Sequence, residues 1–358
     1  MKIINVLILQ KSIPHYRIDF FNHLNSFKEI NLSVFSLNDE PLLSSNVNQY
    51  KFNYKKIKKF NIFSLSYYIF SIPKNFIKND VIIVVGNIRH IHNYFLLLYC
   101  KIKKIKIIWW GIWNMPGRNN SISLLRKKIA SLFDHIIVYS DLEKKNAIND
   151  LIKANKISSF NNSIKISNTI IGDSKKNIIF KLLYVGRLTN KPKLELAIKV
   201  IYYLLENNYK IKFNIVGDGP EKNNLKKIIK LYNLQDCVFL HGPIYNEKNL
   251  KKFFVNSDLF IYPGAIGLSI FHSFSYGLPV ITHDNPKYQA PEFYLFKNNY
   301  NGISFKYNDI DDLKFKIKNF IDNRDKYKDL KKNALETVCQ NFTFEDSVNN
   351  FKDAILRA

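Results

Sequence analysis

Two cationic side chains in a strand-to-helix turn can neutralise a diphosphate, and residues 183–193, LYVGRLTNKPK, have that make-up. The apolar run stops at Val185, Gly186 permits a turn, Arg187 projects next, and Lys191 and Lys193 follow where a helical pattern begins. Taken alone, the same residues also suit an ordinary surface turn. Further on, residues 263–280, PGAIGLSIFHSFSYGLPV, gather Gly264, Gly267 and Gly277 in a chain that has only 12 glycines. Glycines let a backbone approach a ligand closely. Free N–H groups around Gly267 and Leu268, at the start of a helix, would attract an anion. Ser269, His272, Ser273 and Tyr276 follow at i, i+3, i+4 and i+7 and share one helix face. A nucleotide lying there would meet Ser269 and then His272, although periodicity alone makes His272 a packed helix histidine.

Two further segments carry polar groups just past strand ends. VGDGP (216–220) offers turn geometry; without the third glycine of a dinucleotide fingerprint it reads as structural. In THDNPKYQAPE (282–292), Asp284, Gln289 and Glu292 suit either a sugar contact or a plain polar loop.

The elements that must position these groups alternate along the chain. Short apolar runs at 3–9, 32–35, 81–85, 105–110 and 135–139 read as strands, with helical stretches at 16–27, 92–102, 122–133 and 142–152. The second half repeats the pattern, with strands at 180–185, 212–216, 238–240, 259–262 and 279–282. Its helices fall at 194–206, 221–232, 247–255 and 268–276. Alternation of this kind predicts parallel sheets covered by helices, and two such sets predict two Rossmann-like domains, as a length of 358 residues also suggests. The polar stretch 158–177 is the expected boundary. The expected domains are 1–165 and 178–340, with a helix of periodic apolar residues in 341–358.

The net charge is +25. Residues 1–175 carry 26 Lys/Arg against 10 Asp/Glu, and residues 176–358 carry 28 against 19. The first half is the more basic and would attract phosphates. KFNYKKIKKF (51–60) reads either as an exposed hairpin or loop or as a contact with an anionic membrane surface. Cys100, Cys237 and Cys339 have neither zinc nor disulfide spacing, which suits a reducing cytosol. The opening MKIINVLILQK is strand-length and lacks a small-residue cleavage site, and no apolar run reaches the roughly 18 residues of a membrane span. A soluble or peripheral protein is expected.

In this order, VGRL with downstream lysine, VGDGP, a Gly-rich turn and helix ending in YGLPVI, PE and NG resemble the C-terminal domain of family-4 glycosyltransferases over residues 180–305. The stretch 342–356 is similar to the helix that crosses back to the N-terminal domain in that GT-B fold. IPHYRIDFFNHL (13–24) and the stretch 109–140 are similar to bacterial surface-polysaccharide members. The resemblance implies an α/β fold of two Rossmann-like domains facing a cleft. It also implies retaining, metal-independent transfer of a sugar from a nucleotide diphosphate donor to an acceptor hydroxyl, with no other cofactor. Arg187 with Lys191 or Lys193 would stabilise the leaving diphosphate. Gly186, Gly264, Gly267, Leu268, Ser269, His272 and Glu292 would line the donor. Tyr16, Arg17, Trp110 and Asn114 would face the acceptor, a lipid-linked oligosaccharide at the cytoplasmic face of the membrane.

Three positions depart from the family pattern. Its two glutamates, seven residues apart, are replaced by Gly264 and His272. Pro192 stands where the lysine of a Lys-Gly pair is expected, and Ile112 stands where a histidine is expected after Trp109-Trp110-Gly111. A nucleotide-sugar epimerase would bind the same donor without an acceptor hydroxyl. A basic nucleic-acid binder fits the charge, but no recognised binding motif is present and the lysines are dispersed, so no nucleic acid is expected as a partner.

Overall fold

A computed structural model describes residues 3–39, 49–114, 121–166, 178–339 and 342–358. The chain divides into two compact units, one of residues 1–165 with 344–358 and the other of residues 166–343. Most of the expected boundary, residues 167–177, lies outside the described residues.

The first unit is built on β1 (Ile4–Ile13), β2 (Ile30–Asp39), β3 (Asn53–Lys56), β4 (Lys58–Ile62), β5 (Leu65–Ile69), β6 (Val81–Val85), β7 (Lys106–Trp110), β8 (His135–Val138) and β9 (Ile157–Ser159). Seven of them form one parallel sheet in the order β3-β2-β1-β6-β7-β8-β9, and β4 and β5 pair as a separate antiparallel hairpin. Runs such as VIIVV in β6 are buried on both faces, as a covered parallel sheet requires. Helices α1 (His15–Leu24), α2 (His92–Lys103), α3 (Ser121–Ala130) and α4 (Asp141–Asn149) connect the strands. The sheet has a core on each face. On one, Phe20 and Phe21 of α1 meet Val348 and Phe351 of a C-terminal helix; on the other, Leu96 and Cys100 of α2 meet Ala130 of α3. The expected loop or hairpin at 51–60 is divided. Its first part joins the sheet edge as β3, and its second opens the β4–β5 hairpin.

The second unit has β10 (Phe180–Val185), β11 (Ile211–Val216), β12 (Val238–Gly242), β13 (Leu259–Tyr262), β14 (Val280–His283) and β15 (Gly302–Phe305), all parallel, in the order β12-β11-β10-β13-β14-β15. Its helices are α5 (Leu194–Glu206), α6 (Lys222–Leu231), α7 (Glu247–Val255), α8 (Ser269–Ser275), α9 (Ile310–Asp322) and α10 (Leu330–Cys339). Apolar spacing explains the longer ones: α5 buries Leu194, Ala197, Ile198, Ile201 and Leu204 on one side, each large aliphatic contributing about 1.5–3 kcal/mol. Strand order reverses between β10 and β13, so the crevice beyond their carboxyl ends is where such a sheet takes a ligand. The last helix, α11 (Phe344–Arg357), packs in the first unit, where Phe351 lies edge-on to Phe20, Trp110 and Phe160.

Candidate functional site

The switch point of the second unit brings together the two segments with the strongest chemistry. Gly186 and Arg187 follow β10, and Gly264 follows β13, the adjacent strand. Arg187 is exposed. Its carbonyl accepts a hydrogen bond from the Tyr184 hydroxyl at 3.0 Å, which ties down the turn that presents the guanidinium. The VGDGP segment braces the same turn. Gly186 donates to the Val216 carbonyl at 3.0 Å and Leu188 to the Asp218 carbonyl at 2.9 Å. A Cβ at Gly217 would stand 1.9 Å from the Gly186 carbonyl oxygen, so close backbone packing accounts for that glycine.

The two lysines after Arg187 differ. Lys191 is exposed. Lys193 is turned away, its Nζ donating to Asn308 Oδ1 at 2.6 Å and lying 4.8 Å from the centre of the Tyr307 ring. Lys193 also takes the place of the family's glycine, and its φ of +53° is in the left-handed region that favours glycine. With burial, its charge holds the nearby His283 imidazole down to about 4.

Gly264 accounts for a missing carboxylate. A Cβ on it would lie 1.7 Å from the Lys191 carbonyl oxygen and 3.1 Å from the Pro192 carbonyl carbon. Its N–H donates to the Pro192 carbonyl at 3.0 Å. The Lys191–Pro192 turn therefore fills the space a glutamate side chain would need. The two departures from the family pattern, at 192 and at 264, thus meet in space.

Gly267 is different. A Cβ there would meet Ala290 Cβ and Glu292 Oε2 at 3.6 Å, an ordinary contact. The protein's own packing leaves room for a side chain at this position. Glu292, in a short turn after β14, is buried and thus stands beside Gly267. Burial and the Glu292 charge together push the Tyr262 hydroxyl up to about 12. Gln289, the sugar-contact candidate, is buried and structural. It accepts from the Ile266 amide at 2.8 Å and donates to Thr282 Oγ1 at 3.1 Å and the His283 carbonyl at 2.8 Å. Asp284 accepts from the Tyr307 amide at 3.1 Å.

The expected polar face of α8 separates by depth. The helix has only seven residues, so its dipole is smaller than the longer expected helix would give. Ser273 turns inward and donates to the Leu278 carbonyl at 2.7 Å. Leu268 and Ser269 are half-buried at the helix start. His272 and Tyr276 turn to α7, where both meet Glu247. His272 Nε2 is 3.1 Å from Glu247 Oε1, and the Tyr276 hydroxyl donates to the same oxygen. Phe254 packs on both rings. The His272 side chain keeps 15% of its surface exposed and that of Glu247 34%, so this carboxylate is within reach of solvent. Burial and then Glu247 push the Tyr276 hydroxyl well above its ordinary value, which leaves it a donor. Glu247 did not stand out in the sequence, being one acid in an amphipathic helix; only the helix pairing joins it to His272.

The acceptor-side candidates lie in the first unit. Tyr16 and Asn114 are exposed, whereas Arg17 and Trp110 are buried. The Arg17 guanidinium sits over the rings of Phe20, Trp110 and Phe160 at 5.0–5.2 Å, and its Nη2 donates to Asn162 Oδ1 at 2.8 Å. Among the described residues no group of His, Cys, Asp and Glu has the arrangement of a metal site.

Residues 174–337 match the model for glycosyl transferases group 1. Over 297 residues the chain is 28% identical to an uncharacterized glycosyltransferase of Methanocaldococcus jannaschii, spanning 74% of this chain and 72% of that one. Over 217 residues it is 25% identical to the poly(ribitol-phosphate) alpha-N-acetylglucosaminyltransferase of Staphylococcus aureus, spanning 60% of this chain but only 42% of the relative. Among solved structures, Anabaena HepE in complex with UDP superposes with a TM-score of 0.72 at 14% identity, covering 100% of both chains.

Proposed function

The chain belongs to the group 1 glycosyltransferases, a retaining family with the GT-B fold and nucleotide-sugar donors, and from that premise we propose that it glycosylates a lipid-linked oligosaccharide in surface-polysaccharide synthesis. The observation that carries the donor assignment is the placing of Arg187 and Lys191 at the β10–β13 switch point, where a diphosphate would lie. Arg187, with Lys191 the better placed of the two lysines, stabilises the charge that develops as the bond from the anomeric carbon to the diphosphate oxygen breaks. The acceptor hydroxyl forms the new bond on the same face, and its proton passes to the departing diphosphate. UDP is the first base to test, since HepE is seen with UDP.

The ribose contact follows from the α7–α8 pairing. The glutamate that the family resemblance places at position 272 is a histidine here, and Glu247, held by His272 and Tyr276, returns a carboxylate to that place. A carboxylate accepts hydrogen bonds from both hydroxyls of a ribose. Glu292 and Gly267 lie on the sugar side. The first unit would take the acceptor, at the cytoplasmic face of a membrane where lipid-linked acceptors and nucleotide sugars meet.

The test is calorimetric binding of UDP, GDP and dTDP, followed by incubation with the matching sugar donors and detection of the released nucleoside diphosphate. Binding and release that Arg187→Ala lowers by about 100-fold support the reading. No binding of any of the three, or an Arg187→Ala protein as active as the parent, overturns it. Conversion of the donor sugar without any acceptor would point instead to an epimerase.

A further inference from the structure

The positive charge of the first unit is concentrated in one stretch. Residues 51–133 hold 16 Lys/Arg and a single acid, Asp80. Asp80 is buried, accepting from Asn5 and from the Ile77 amide. The rest of residues 1–175 is nearly balanced, with 10 Lys/Arg against 9 Asp/Glu. Among the described residues, the same stretch supplies 15 of the 28 large hydrophobic side chains that are exposed. Charge and exposed apolar area therefore coincide, where a solvated surface would keep them apart.

They also coincide in space. Helix α2 buries Leu96 and Cys100 against the sheet, while Phe95, Leu98 and Ile102, each more than 60% exposed, line its outer side. A helix apolar on both sides is unsuited to water. The β4–β5 hairpin lies beside it, with the Tyr67 and Phe95 rings 6.2 Å apart, and its turn carries Phe63 fully exposed. Helix α3 covers the same face of the sheet, packing into the same core as α2, and exposes Leu124 and Leu125. Lys58 and Lys59 on the hairpin and Lys101 and Lys103 at the end of α2 are exposed around this area.

We infer that this face of the first unit, formed by the β4–β5 hairpin with the outer sides of α2 and α3, docks on an anionic lipid bilayer. The apolar side chains enter the headgroup boundary and the lysines meet lipid phosphates, as interfacial elements do. A second copy of the chain is disfavoured by charge, since like faces of this sign repel. A free polyanion would satisfy the lysines but leave Phe63, Phe95 and Leu98 in water. The inference rests on the proposed function only for what the membrane presents, a lipid-linked acceptor beside the acceptor unit.

The experiment is co-sedimentation of the full chain with vesicles of phosphatidylcholine alone and of phosphatidylcholine mixed with phosphatidylglycerol, at low and high salt. The expected result is binding to the anionic vesicles, weakened by salt and by about fivefold for each lysine neutralised in Lys101→Gln and Lys103→Gln. Phe95→Asp combined with Leu98→Asp should lower it by at least tenfold while UDP binding, measured in the second unit, is unchanged. Both sites are exposed, and an unaltered melting temperature shows that the fold is kept. The inference fails if the parent chain does not bind the anionic vesicles, if the double aspartate variant binds as well as the parent, or if the face instead drives concentration-dependent dimerisation. Vesicle binding without binding of any nucleotide would leave this face standing and sink the donor reading alone.

Discussion

Replacing Gly264 by alanine tests whether the Lys191–Pro192 turn fixes the donor end of the second unit. The added Cβ would stand 1.7 Å from the Lys191 carbonyl oxygen, and real contacts do not fall under 3.0 Å, so the carbonyl must retreat by at least about 1.3 Å. The neighbouring atoms are backbone and cannot swing aside as a side-chain tip would. Overpacking costs about 1–3 kcal/mol, and loss of the Gly264–Pro192 hydrogen bond adds about 1 kcal/mol. For a unit of this size, roughly 3 kcal/mol lowers Tm by about 6–12 °C. Lys191 moves with its backbone, and a displacement near 1 Å at a charged contact costs about 100-fold in rate. The assay is a thermal melt alongside nucleoside diphosphate release. Gly264→Glu, which restores the family's residue, should be at least as damaging. Adding Pro192→Lys and Lys193→Gly, which returns the neighbouring turn to the family form, should recover part of the loss, because contacting sites couple. A Gly264→Ala protein with the parent's Tm and rate would refute the reasoning, and so would additive losses in the combined variant.

Gly267→Ala is the converse case: an added Cβ meets only ordinary contacts at 3.6 Å, so Tm should stay within about 1 °C while the affinity for UDP falls measurably by calorimetry. Lys191→Ala should reduce diphosphate release by about tenfold or more, whereas Lys193→Gly, which relieves a left-handed residue at the cost of a solvent-facing bond, should leave both Tm and rate close to the parent's in the same assays. If Glu247 holds the ribose, the parent should prefer UDP to 2′-deoxyuridine diphosphate by about tenfold, and Glu247→Ala should erase that preference; an unchanged ratio removes the assignment. Burial lowers His90 and His135 to about 4 and His92 to about 3. These folded values lie below the ordinary 6.5, so the neutral rings favour folding above that pH and the benefit is lost as pH falls toward 4. At pH 5 each should cost on the order of 2 kcal/mol, and thermal melts from pH 7 to pH 5 should show a matching fall in stability.

The sequence made the alternation of strand and helix readable because parallel strands buried on both faces are unbroken apolar runs: β10, β13, α5 and α7 begin and end where periodicity places them. β15, whose four residues open on the glycine of an Asn-Gly pair, was not legible there, and 51–60 could be read only as a hairpin or a loop, because an exposed face that mixes lysine with phenylalanine suits either. Residue roles were readable where a single segment carries them, as with Arg187 after a strand end. Roles that need two segments were not. His272 looked like a lone ribose candidate until α7 placed Glu247 against it. Gly264 looked like a loss of chemistry, and Pro192 like a separate shift of a lysine, until one turn was seen to occupy both places. The basic first half is a third example. Its charge was visible as composition, but a lysine excess alone cannot distinguish a solvated surface from a docking one. What separates them is whether apolar side chains on the same face are turned outward, and that depends on which side of α2 meets the sheet. Sequence periodicity cannot decide it here, because α2 is apolar on both sides.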